Sequence, residues 1–108
     1  MDMIKVSSNS RTAAVAGAIA GVVRDHHRAE VQAIGAGAVN QAMKALILAT
    51  GYLKNDSIFV RCVPEFADVD IDGNIKTAIK LVIEPSSDSN FSLFRARASS
   101  IREDLPQV

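Results

Sequence analysis

Over the first 85 residues, apolar positions alternate with polar ones in short runs, and between these runs they recur at helical spacing. Ile4 and Val6 lie on one side of a predicted first strand. Ser7, Ser8, Asn9 and Ser10 follow as a polar loop rich in helix-capping residue types. From about Thr12 to Asp25 the pattern becomes helical. Val15, Ala18, Ile19, Val22 and Val23 form the apolar face, while Ala13, Gly17, Ala20 and Gly21 make a small-residue surface. A glycine inside a helix costs roughly 1 kcal/mol relative to alanine. Two of them predict close packing of this helix against a neighbouring helix or sheet.

Arg28 to Ile34 predicts a second strand and Gly35 to Gly37 a tight turn. Ala38 to about Tyr52 predicts a second helix with a core stripe of Val39, Ala42, Met43, Leu46 and Leu53, and Gly51 is placed to end it. Ile58 to Ala67 and Ile75 to Glu84 predict two further strands, joined at Asp72 and Gly73, a dipeptide typical of hairpins. The order is βαβαββ. Right-handed crossovers then place both helices on one face of a four-stranded mixed sheet, giving a two-layer α/β sandwich with the other sheet face open. Pro85 and the polar SSDSN segment divide the chain into a domain over residues 1–85 and a linker and tail over 86–108. In the tail, Phe91, Phe94, Ala98, Ile101 and Leu105 repeat at alternating spacings of three and four. That pattern predicts an amphipathic C-terminal helix that docks on its own domain or on a second subunit.

With 108 residues of which 48% are hydrophobic, one domain with a real core is expected. No apolar run is long enough to span a bilayer, and MDMIKV lacks the basic start and apolar block of a signal peptide, so a cytoplasmic protein is expected. Twelve basic and twelve acidic residues cancel, so there is no broad basic footprint, and nucleic-acid binding would have to come from locally arranged groups. Cys62, the single cysteine, sits in an apolar run where a reduced, buried thiol is the usual state.

The passage from Ile34 to Lys44 carries the most chemistry. Gly35 and Gly37 stand where a strand passes into a helix N-terminus, a turn that exposes backbone N–H groups and favours an anion. Asn40 occupies the third-glycine position of a dinucleotide fingerprint, which weighs against that motif. The same glycines also suit a sharp turn and close helix packing. Asn40, Gln41 and Lys44 follow on the non-core side and would gather polar groups beside one anion site. Ile47 and Leu48 lie on or next to the Lys44 side and predict a subunit contact.

Other groups carry less. Asp68, Asp70, Asp72 and Gly73 match the opening of a calcium loop, but its twelfth position holds Ile79 and its flanks read as strands, so an acidic hairpin is expected. His26 and His27 fall at a helix C-terminus with no further Cys or His nearby in sequence. No nucleophile motif or paired carboxylates appear, so neither an enzyme nor a metal or other cofactor is expected.

Three passages then stand together: IKVSSNSRTAAVAGAIAGVVR, AEVQAIGAGAVNQAMKALILATGYL and VPEFADVDIDGNIKTAIKLVIEP. In this order and spacing the chain resembles the bacterial stage V sporulation protein S family over about residues 3 to 85. The resemblance implies an Alba-like fold, a dimer, and binding of RNA or DNA. Matching passages would put the nucleic-acid surface on the first loop with Ser7, Ser10 and Arg11, on Gly35 and Gly37, and on Asn40, Gln41 and Lys44. The hairpin around Asp72 would correspond to an arm laid along a duplex. Alba proteins typically carry basic residues in the first loop and before the second helix. Here Arg11 stands alone and the hairpin is acidic, which weighs against tight coating of duplex DNA.

Two functions compete. The first is a nucleic-acid-associated regulatory protein of sporulation or developmental control, acting as a homodimer or higher homo-oligomer with no membrane. The second is a protein–protein interaction or assembly factor without nucleic acid, using Ile47, Leu48 and the tail residues Phe91, Phe94 and Ile101. A small-ligand or nucleotide binder using the glycine turn is a weaker third.

Overall fold

The computed structural model describes residues 3–86. The predicted C-terminal helix, with Phe91, Phe94 and Ile101, lies outside the described residues. Strand β1 (Ile4–Val6), helix α1 (Thr12–His26), strand β2 (Ala29–Ala33), helix α2 (Ala36–Lys54), strand β3 (Val60–Ile71) and strand β4 (Asn74–Pro85) follow the predicted βαβαββ order. The strands form one sheet in the order β1-β2-β4-β3, with β1 parallel to β2 and the other neighbours antiparallel.

One face of the sheet carries Val31, Ala33, Leu81 and Ile83, which join Val15, Ile19 and Val23 of α1 and Leu46 and Leu53 of α2 in a single core. Alanine supplies much of the helix contribution: Ala16, Ala20, Ala42, Ala45 and Ala49 are all fully buried. Small side chains at these positions let the two helix backbones approach closely. Met43, placed in the core stripe by sequence, is instead 41% exposed, and Ala18 of α1 is exposed as well. The buried side of α2 is the alanine side, so the larger side chain is not the one turned inward.

The two α1 glycines do not pack as expected within the chain. A Cβ at Gly17 or Gly21 would meet no atom within 4 Å, so neither is needed for close approach inside the domain. Gly51 does not end α2 either. The helix runs on to Lys54 because Leu53 is fully buried. The chain then reverses through Asp56 and Ser57, whose N–H groups bond to the carbonyls of Leu53 and Lys54, with Ser57 at φ 60°. At the end of α1, His27 takes the left-handed conformation at φ 60° and its N–H closes on the Val23 carbonyl at 2.8 Å.

The β3–β4 hairpin is longer than the sequence pattern predicted. Its ladder runs from Val60 opposite Pro85 to Ile71 opposite Asn74. Strand β2 pairs with β4 only between Ala29 and Ala33, opposite Ile83 and Ile79, so the distal half of the hairpin projects as an arm. Asp72 and Gly73 both have positive φ at the tip, 52° and 84°, as the tight hairpin turn requires. Asp70 Oδ1 accepts the Gly73 N–H at 2.9 Å, so the aspartate-rich sequence here closes a turn.

Candidate nucleic-acid interface

Because β1 and β2 are parallel, α1 and α2 start at the same end of the sheet. Each helix begins without help from side chains. Arg11 at the head of α1 and Gly35 at the head of α2 make no capping hydrogen bond, and neither helix has an acidic residue in its first turn. Two positive dipole ends with unsatisfied N–H groups therefore stand side by side.

Two contacts lock them together. Gln41, half-buried on α2, donates its amide N–H to the Ser10 carbonyl at 2.7 Å and to Thr12 Oγ1 at 3.3 Å. Gly37 meets the first loop directly: a Cβ there would lie 2.9 Å from the Ser8 Cβ. The loop is also tied to itself, through the Ser7 N–H on Ser10 Oγ at 2.9 Å and the Asn9 N–H on Ser7 Oγ at 3.2 Å. Gly35 is required for a different reason. Its φ of 90° and ψ of 159° lie in a region essentially restricted to glycine. The two glycines thus have separate structural causes, one conformational and one steric.

The arm borders an open groove of about 750 Å³ at this end of the sheet. One wall comprises Lys5, Ser7, Ser8, Gln32, Gly35 and Gly37, and the other is Val69 to Asp72. Of the residues singled out by sequence, Ser7, Gly35 and Gly37 line the groove. Arg11, Asn40 and Lys44 are exposed and do not line it, and Ser10 and Gln41 serve as the clamp. Lys5 and Gln32 were missed. Their signal was the alternation itself, since Lys5 between Ile4 and Val6 must point away from the core.

Charge is distributed unevenly despite the neutral total. On the open sheet face an unbroken chain of ion pairs runs Glu65–Lys80–Glu30–Arg28–Glu84–Arg61, with separations from 2.8 to 3.8 Å. It surrounds Val82, which is only 3% exposed. Arg24 is taken by Asp56 at 2.7 Å. Among the described residues the basic side chains with no such partner are Lys5, Arg11, Lys44, Lys54 and Lys76. All but Lys54 belong to the elements at the groove end, Lys76 standing opposite Val69 on the arm. The arm also brings Asp70 and Asp72 to the groove, so one wall favours an anion and the other opposes it.

Among the described residues no group of three or more His, Cys, Asp or Glu is arranged to hold a metal ion. Cys62 is half-buried rather than fully buried, and desolvation raises its thiol pKa, which keeps the thiol protonated and poorly nucleophilic. No helix among the described residues is long and apolar enough to cross a membrane.

The family model for stage V sporulation protein S (SpoVS) matches residues 2–86. The chain belongs to the SpoVS family. Among solved structures it is similar to Alba from Thermoplasma volcanium, with a TM-score of 0.50 and 11% identity over 79% of this chain and 99% of that one. At that identity the likeness establishes an Alba-like fold. The SpoVS match ends at the last described strand, leaving residues 87–108 beyond the family unit.

Proposed function

We propose that this SpoVS-family protein is a cytoplasmic, nucleic-acid-associated regulator of sporulation or developmental control that acts as a homodimer and has no enzymatic activity. The observation that carries the reading is the pair of uncapped helix N-termini, clamped together by Gln41 and Gly37, with Lys5 in the adjoining groove and Arg11 at the head of α1; Lys44 further along α2 and Lys76 on the arm are further cations without an ion-pair partner among the described residues. Phosphate oxygens bind such N-termini through backbone N–H groups, and the cations add charge without sequence preference. Asn40 and Ser7 add polar groups at the rim.

The magnitude is modest. Three or four phosphate contacts give a slope of log K against log salt of about −2 to −3.5, far from that of a duplex-coating protein. The acidic arm disfavours a rigid duplex beneath it, so a single strand is the better guest. Binding of single- and double-stranded RNA and DNA, measured at low and moderate salt, tests the reading. Saturable binding that weakens with salt at that shallow slope is expected, and no binding to any of the four at low salt overturns it.

A second reading, assembly without nucleic acid, is favoured by exposed apolar residues. Phe66 is 80% exposed, Ile47 67% and Ile75 64%. Phe66 and Ile75 supply a surface for the dimer, and light scattering of Phe66→Asp against the parent checks it.

A further inference from the structure

The outward face of α2 has an apolar strip that nothing in the domain covers. Ile47 is 67% exposed, Met43 41% and Leu48 40%. Beside them a shallow groove of about 230 Å³ is lined by Ile47, Thr50, Gly51 and Lys54. Gly51 is unexplained by the domain itself, since a Cβ there would enter open space. The missing side chain at Gly51 leaves room on the outside of the helix for a bulky side chain of another element.

The position of the chain exit identifies the occupant. The Ser86 N–H donates to the Phe59 carbonyl at 2.6 Å, and the neighbouring Ile58 N–H donates to the Leu53 carbonyl at 2.9 Å. Residues 87–108 therefore leave the domain close to the last turn of α2. Four residues, 87–90, reach roughly 13 Å, and Phe91 to Leu105 as a helix would extend about 21 Å. The strip from Lys54 back to Met43 is about 16 Å long.

Spacing agrees with this assignment. Lys54, Gly51, Ile47 and Lys44 form an outward row of α2 at intervals of three, four and three. Read in the opposite chain direction, Phe91, Phe94, Ala98 and Ile101 have the same intervals. Laid antiparallel, the bulky Phe94 meets Gly51 and the small Ala98 meets Ile47.

We propose that residues 87–108 fold back as a helix along α2 of the same chain, with Phe94 over Gly51, Ala98 over Ile47 and Ile101 over Lys44. The docking stands independently of the nucleic-acid reading. Its consequence, that the segment competes with phosphate for Lys44, rests on that reading.

The test uses the full chain. In a Cys62→Ser background, Ile47→Cys and Ala98→Cys are combined and oxidised at low concentration with copper–phenanthroline. Asp25→Cys with Ala98→Cys serves as the reference pair. A disulfide-closed monomer forming at least tenfold faster than in the reference is expected. A rate no greater than the reference overturns the proposal, and so does a covalent dimer, which would assign the strip to a second copy. Lys44 provides a readout without engineered thiols. Its acetylation by an N-hydroxysuccinimide ester should be several-fold faster in Phe94→Asp than in the parent, and equal rates count against the docking. Neither measurement needs nucleic acid, so failure here is distinct from failure of the proposed function.

Discussion

Gly37→Ala adds one methyl group where α2 meets the first loop, and its effect can be worked from a single distance. The new Cβ would lie 2.9 Å from the Ser8 Cβ. Carbon atoms prefer roughly 3.5–4.0 Å. The loop cannot yield freely, because Gln41 holds the Ser10 carbonyl at 2.7 Å and Ser7 and Ser10 are bonded to each other. Overpacking of this kind costs about 1–3 kcal/mol. Alanine recovers part of that through helix propensity, at most about 1 kcal/mol and less in a first turn. A net loss of about 1–2 kcal/mol lowers the melting temperature of a domain this size by about 5–10 °C. The same substitution at Gly17, where a Cβ meets nothing within 4 Å, should raise it by about 3–6 °C. Thermal unfolding followed by circular dichroism measures both. The double variant Ser8→Gly/Gly37→Ala removes the opposing Cβ and should recover most of the loss. A Gly37→Ala protein that melts at or above the parent, or a loss that Ser8→Gly leaves untouched, would refute the steric account.

Four further outcomes follow from the same geometry. Lys44→Ala should weaken nucleic-acid binding and flatten its salt slope by about one unit, checked by fluorescence anisotropy at several salt concentrations. Asp72→Asn removes a carboxylate from the groove while keeping a residue suited to the positive φ at the hairpin tip, so duplex affinity at low salt should rise by a factor of about two to five. Gln41→Leu deletes the donor to Ser10 and Thr12 and should cost about 1–2 kcal/mol in urea unfolding. For Cys62, desolvation holds the folded thiol pKa above its ordinary value. Alkylation by iodoacetamide at pH 8 should therefore be slower in the folded protein than in urea, with its pH midpoint displaced upward in the fold.

The order of elements was legible because each strand and helix has its own period, and the Asp72–Gly73 turn because positive φ has few candidate residues. The phase of α2 was less so. Met43 outweighs alanine on any hydrophobicity scale, yet the closely packed α1–α2 interface has room for Ala42, Ala45 and Ala49 and not for a longer side chain. Gly51 resembled a helix stop, but burial of Leu53 carries the helix past it. At the candidate site, the glycine turn and Lys44 were visible locally. The groove was not, because it joins Lys5 to Asp72 across most of the chain, and no local signal reports where a hairpin arm will lie. The role of Gln41 was also hidden, since its partners Ser10 and Thr12 belong to another element.

The ion-pair chain on the open sheet face has a bearing on how the molecule meets a polyanion. Three cations and three carboxylates cancel there at short range, so that face contributes almost no field beyond a Debye length. Lys5, Arg11 and Lys44 on the helix side, set against Asp68, Asp70 and Asp72 of an arm that also carries Lys76, give that end of the domain a dipole with little net charge. A dipole attracts a distant chain weakly but turns a nearby one. Encounter should therefore be no faster than for an uncharged protein of this size, while the complexes that form should share one orientation, with the polymer entering from the helix side of the groove.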